Sequence, residues 1–298
     1  MASCANCGKD ASLRCIGCMD TPEYHDGDSV GVFYGGHECQ TADWAKHKKS
    51  SKLLKATLLS YKEVFFHWDL TEIEPHNDAL ILKHDNRRPS WEKPVNFTDH
   101  LTTNIEHKEA ALLKREALHS LSILGPMTRK LVKCLVSRLE IVYVQITNPP
   151  YPAIMDPPDA AFFDMLKPGV HIVVLATLRG SDEKWVIDIT GCQFGFKDVL
   201  FPLEKYITET NCNVEWPASP YFHSEITDQQ EIIALGGMPP PEPMADILRI
   251  TRYRLHFAAL VKARVNNNLI VGSDAEFDIR MGEFSENAKT HMSVCQSY

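Results

Sequence analysis

Cys4-Ala5-Asn6-Cys7, Cys15-Ile16-Gly17-Cys18, and then Cys39 and His47, all within the first 51 of 298 residues, decide how this chain is organised. The two C-x2-C pairs lie seven residues apart, and each can set two thiolates about one tetrahedral Zn²⁺. A looser pair follows. Cys39 opens what reads as a short basic helix, and His47 sits two turns on in Lys46-His47-Lys48-Lys49-Ser50-Ser51-Lys52. The sizeable apolar side chains of this stretch are few, chiefly Leu13, Ile16, Val30, Val32, Phe33, Tyr34 and Trp44. So small a core does little against the entropy of ordering the segment, whereas a structural zinc supplies on the order of 10 kcal/mol of folding free energy. Metal, rather than an apolar interior, is expected to shape it.

This outline resembles the MYND zinc finger, whose eight ligands run as two C-x2-C pairs, then C-x3-C, then H-x3-C, and bind two zincs in interleaved fashion. The resemblance covers about one sixth of the chain. Carried over, it implies that Cys4, Cys7 and Cys39 serve one zinc and that Cys15, Cys18 and His47 serve the other. Gly35 stands at the fifth ligand position and Ser51 at the eighth, so each site lacks one thiolate. Three protein donors plus water make an open zinc site. His37 is the favoured substitute donor, since Gly35-Gly36 before it lets the backbone swing an imidazole inward. His25, in Tyr24-His25-Asp26-Gly27-Asp28, is a weaker one. Alternatively Cys4, Cys7, Cys15 and Cys18 close a single four-thiolate site and leave Cys39 and His47 without metal. One or two Zn²⁺ are therefore expected. The resemblance also implies partner binding, because fingers of this family dock short, often proline-containing peptides of other proteins, frequently regulators of transcription or signalling.

Whole-chain composition bounds the rest. With 44% hydrophobic and 23% charged residues the chain has the makings of a sizeable folded core. The longest apolar runs, such as Val170 to Leu178, stop well short of the roughly 18 residues a membrane span needs, and no signal peptide is legible. Cytoplasmic or nuclear residence is expected. Five of the nine cysteines cluster with metal spacing, while Cys134, Cys192, Cys212 and Cys295 are scattered, which is not a disulfide framework. A net charge of −8 speaks against direct nucleic-acid binding, which needs a basic surface.

Beyond the finger, residues 53–68 have helical spacing, with Leu54, Leu58, Tyr61 and Phe65 on one stripe. The next stretch, to Phe97, is polar and loose, and its His76, Asp78, His84 and Asp85 read as solvated. Thr98-Asp99 is expected to cap a helix running to about Ile123, stopped by Gly125-Pro126. A second helix from Met127 to about Leu139 leads into a strand at Ile141 to Ile146. Strands at Val170 to Leu178 and Trp185 to Ile189 read as a hairpin. A loop is expected over Asn211 to Ser224, a helix over Met244 to Val265, and a polar, loosely ordered tail thereafter. These readings give an α+β chain: a finger at 1–52, a helix and connecting stretch at 53–97, and at 98–298 an α+β domain with a central antiparallel sheet and flanking helices.

The hairpin holds His171 on its first strand and Asp188 on its second, placed so that an imidazole can lie beside a carboxylate. The order, followed by Thr190-Gly191, is similar to that of transglutaminase-like and papain-like thiol enzymes, in which an upstream helix supplies the nucleophile; Cys134 would fill that role. The favoured reading is a zinc-binding protein-interaction or regulatory adaptor with a protein or peptide partner at the finger. The alternative is a cysteine-dependent acyl-transferase or hydrolase using Cys134, His171 and Asp188.

Overall fold

The β-branched runs around Val142 and Val173 suit a pleated surface, and in the computed structural model they lie side by side in the middle of a five-stranded sheet. The structure describes residues 2–3, 10–11, 13–14, 33–34, 36, 38–39, 48–64, 70–85, 97–132, 136–156, 170–178, 183–221, 244–265, 269–270 and 273–294. Its strands are β1 (Ala2–Ser3), β2 (Asp10–Ala11), β3 (Leu13–Arg14), β4 (Phe33–Tyr34), β5 (Leu70–Pro75), β6 (Leu80–His84), β7 (Val136–Ile146), β8 (Ala153–Asp156), β9 (Val170–Leu178), β10 (Lys184–Ile187), β11 (Leu200–Pro202) and β12 (Cys212–Pro220). Its helices are α1 (Lys48–Val64), α2 (Ile105–Leu112), α3 (Ala117–Val132), α4 (Leu203–Thr210), α5 (Met244–Arg264) and α6 (Asp274–Ser293). The architecture is α+β, as the sequence implies. No described helix is long and apolar enough to cross a membrane.

The central sheet runs β11-β10-β9-β7-β12, antiparallel throughout. β9 and β10 form the expected hairpin, with Trp185 opposite Ala176. Side chains alternate between faces, and the two faces of β9 fill two cores. Val174, Ala176 and Leu178 join a large core with Leu53, Leu58, Leu124, Phe257 and Phe284. Val173 and Leu175 join a smaller one with Val142, Val144, Phe201 and Tyr206, under α4. A strand covered on both sides reads as the unbroken apolar run seen here. A second sheet, β5-β6-β8, pairs β5 antiparallel and β8 parallel to β6.

Helix α1 is the hub. Leu53, Leu54, Leu58, Tyr61 and Val64 are buried on it, and α6 packs along it through Phe277, Phe284, Ala288 and Met292. Lys49 to Asp274 (3.0 Å) and Lys289 to Glu63 (2.6 Å) pin the two ends of that contact.

Several elements differ from the sequence expectations for stated reasons. The helix expected from Thr98 begins at Ile105, capped by Asn104, which accepts from the Glu106 and His107 amides, whereas Thr98 precedes only a single 3₁₀ turn. Gly125-Pro126 lies inside α3. Burial of Leu121, Ile123, Leu124, Met127 and Leu131 on that helix outweighs the local break that proline favours. The interruption falls earlier, where Arg115 takes a left-handed φ of 62°. The stretch read as polar connector carries the β5–β6 hairpin. Residues 212–220 form an edge strand rather than a loop, its alternation masked by Pro217 and Pro220 at positions an edge tolerates. The supposedly loose tail is α6, started by a capping box between Ser273 and Glu276.

The break before α3 also buries a charge pair. Lys62 Nζ of α1 lies 2.9 Å from Glu116 Oε1, with side-chain exposures of 1% and 4%. Burial pulls the Lys62 pKa down against the pull of Glu116. Removing one partner strands the other, so Glu116→Ala is expected to cost about 3–5 kcal/mol, while Lys62→Met with Glu116→Leu recovers most of that loss. Urea unfolding of the single and double variants checks this, and a single-variant loss under about 1 kcal/mol would mean the pair matters little.

Candidate functional site

At the N-terminus the described backbone forms two short ribbons. Ala2 pairs with Ala11 and Ser3 with Asp10, Leu13 pairs with Tyr34 and Arg14 with Phe33, and β1 lies against β4. The ribbons gather the strand ends that border the predicted donors in sequence: Cys4 follows β1, Cys15 follows β3, and Cys39 comes five residues after β4. Cys39 is half-buried and packs against the large core. Cys4, Cys7, Cys15, Cys18, His37 and His47 lie outside the described residues. Ser51, at the position of the missing eighth donor, is buried in α1 beside Ser50. Thiolates and imidazole are the donor set zinc selects over oxygen-preferring cations, so the residues present fit Zn²⁺.

The second candidate sits in the small core. By the alternation of β9, His171 shares a face with Val173 and Leu175, and Asp188, just past β10, follows the parity of Val186. The two meet there: His171 Nε2 donates to Asp188 Oδ1 at 2.8 Å. The Tyr206 hydroxyl, from α4, donates to the other carboxylate oxygen at 2.9 Å. Phe194 packs edge-on against the imidazole, its centroid 5.0 Å away, and Phe201 packs similarly on Tyr206.

The surrounding turn is built to admit the carboxylate. A Cβ on Gly191 would fall 2.6 Å from Asp188 Oδ2, so only glycine leaves room there. Gln193 ties the turn down by donating to the Thr190 carbonyl and accepting from the Arg115 amide. Gly195 has a φ of +89°, and a Cβ there would meet Tyr151.

Chemically this is a closed string. His171 is 2% and Asp188 1% exposed, and the carboxylate has donors on both oxygens. Burial, then the Asp188 charge, raises the Tyr206 pKa well above the ordinary phenol range, so it stays a proton donor. The described thiols in this neighbourhood are protonated at neutral pH, for burial pushes Cys192 up to about 12 and raises Cys212. Cys134, the expected nucleophile, lies outside the described residues. Tyr206 was not legible as a partner, because nothing local in Leu203-Glu204-Lys205-Tyr206 signals a contact to Asp188. Among the described residues no group of three or more His, Cys, Asp and Glu side chains is gathered as for a metal, so His76, Asp78, His84 and Asp85 form no such cluster.

Residues 4–50 match the family model of the MYND finger, which makes this segment a MYND-type finger, a class of zinc-binding module. No curated protein and no solved structure matches the chain.

A carboxylate held this way depends on both its donors and its space. Tyr206→Phe is expected to cost about 1.5–3 kcal/mol, the range for hydrogen bonds to charged groups. Gly191→Ala, which drives a methyl into the carboxylate, is expected to be at least as damaging. Denaturant midpoints measure both, and a Tyr206→Phe protein as stable as the parent would refute this assignment.

Proposed function

We propose that this chain is a regulatory adaptor whose finger takes a short, proline-containing peptide of a partner protein while the α+β body gives the finger a rigid mount. The observation that carries the reading is the match to the MYND finger at residues 4–50, whose last three residues are the first three of α1. Helix α1 begins one residue after His47, and within two turns its Leu53, Leu54 and Leu58 are in the large core. A peptide seated on the finger is thereby held against a folded body rather than on a tether.

In this reading Cys4, Cys7 and Cys39 hold one zinc and Cys15, Cys18 and His47 the other, with His37 as the substitute donor. Zinc supplies shape when bound. The partition into a finger at 1–52, a connecting stretch at 53–97 and a body at 98–298 is part of the same proposal, as is residence in the cytoplasm or nucleus. A net charge of −8 disfavours nucleic acid as the partner.

One observation favours the thiol-enzyme alternative, the 2.8 Å contact of His171 with Asp188. In that mechanism His171 would take the proton of the Cys134 thiol and Asp188 would orient the ring. A general base must reach the reacting group, and the burial of both side chains together with the Tyr206 bond argues for a structural role instead.

The test pairs metal analysis with peptide binding. The purified chain is expected to carry one or two zincs and to retain members of an array of proline-containing peptides. Cys15→Ser is expected to lose zinc and peptide together while the main unfolding transition of the body stays in place. A chain that is metal-free as purified, or a Cys15→Ser protein with undiminished peptide capture, contradicts the adaptor reading.

A further inference from the structure

Between α1, the start of α2, Tyr151 and the turn at 191–199 lies a cavity of about 510 Å³, within the range of small-molecule sites. Leu59, Leu80, Val199 and Met281 make its walls largely apolar. One cation stands inside. The Lys55 side chain is 13% exposed and its Nζ donates to Glu109. An ammonium has three donors, and Glu109 is the one acceptor Lys55 meets among the described residues.

The charges on the wall restrict what can join it. Glu106, Glu109 and Asp198 line the cavity together with Lys52, Lys55 and Lys197, and of these cations only Lys55 is largely buried, so a dianion such as a phosphate monoester would bring two charges to one inner cation beside three carboxylates. A ligand ammonium would be repelled by Lys55, and a wholly apolar ligand would seal the remaining N–H groups away from water without acceptors, a costly state. A single carboxylate suits all three conditions. Glu109, at 24% side-chain exposure, can turn toward solvent and yield its place on Lys55. Lys197 is engaged with Glu106 at 2.7 Å at the rim and does not compete for the inner position.

We propose that this cavity binds a small monocarboxylate with an apolar body, its carboxylate on Lys55 Nζ and its body against Leu59, Leu80 and Met281. Nothing in this proposal depends on the finger or on the partner reading.

Calorimetric titration of the full chain with decanoate, decanol and decylamine tests it. Decanoate is expected to bind about tenfold or more tightly than decanol, the scale of one charge-assisted contact, and decylamine not at all. Lys55→Met is expected to erase the preference for decanoate over decanol. Ala56→Trp, which fills the cavity from α1, is expected to abolish binding of both. Glu109→Gln frees Lys55 and is expected to tighten decanoate, a gain that a damaged fold cannot produce. Absence of decanoate binding to the parent chain, equal affinity for decanoate and decanol, or an unchanged preference in Lys55→Met overturns the proposal.

Discussion

Helix α1 has almost no solvent face, and the rest of the fold is arranged around that fact. Of its described side chains only Lys52 is exposed. A helix enclosed on all sides belongs to the core, yet this one carries Ser50, Ser51, Thr57, Ser60 and Lys62 among its buried residues. Each must be reconciled with burial. Thr57 donates to the Leu53 carbonyl and Ser60 to that of Ala56, which satisfies the hydroxyls within the helix. Lys62 has the charge of the Glu116 carboxylate 2.9 Å away but no well-directed hydrogen bond to it, and Glu116 lies in the main-chain break that interrupts the helical region between α2 and α3.

This explains what the sequence could and could not disclose. The stripe Leu54, Leu58, Tyr61 suggests a helix with one apolar face, and the lysines and serines between them suggest an opposite wet face. Burial of those polar residues goes with α6 lying along the helix, and α6 is started by a capping box of Ser273 and Glu276 that the polarity of the tail concealed. The central strands were easy to see because burial on both faces demands an unbroken apolar run. The edge strand β12 was hidden, since an edge admits proline and exposed polar residues. Local pattern, in short, reports a partner only where the partner imposes a period.

The same limit applies to the site. Cysteine spacing reports metal because tetrahedral coordination fixes how many residues separate two donors on one loop. The seventeen-residue separation of His171 and Asp188 carries no such constraint; it gained meaning from hairpin register, which sets both side chains on one face of the sheet. Their chemistry was then decided by residues no pattern connects to them: the Tyr206 hydroxyl, the Phe194 ring, and the hydrogen that stands in for a side chain at Gly191. A His beside an Asp becomes a catalytic device only if one nitrogen faces a reactant. Among the described residues the pair and the Tyr206 hydroxyl form a buried polar link between the sheet and α4.

Short ribbons such as β1–β2 and β3–β4 are marginal alone. Helix α1, enclosed but for Lys52, resists turning about its axis, because that would expose Leu53 or Leu58 on one side and bury Lys52 on the other. The Lys55–Glu109 cavity adjoins the same helix one turn further along. A shift of α1 is therefore felt in the cavity and at the Lys62–Glu116 pair together, and the enclosure of a single helix is what couples these two places.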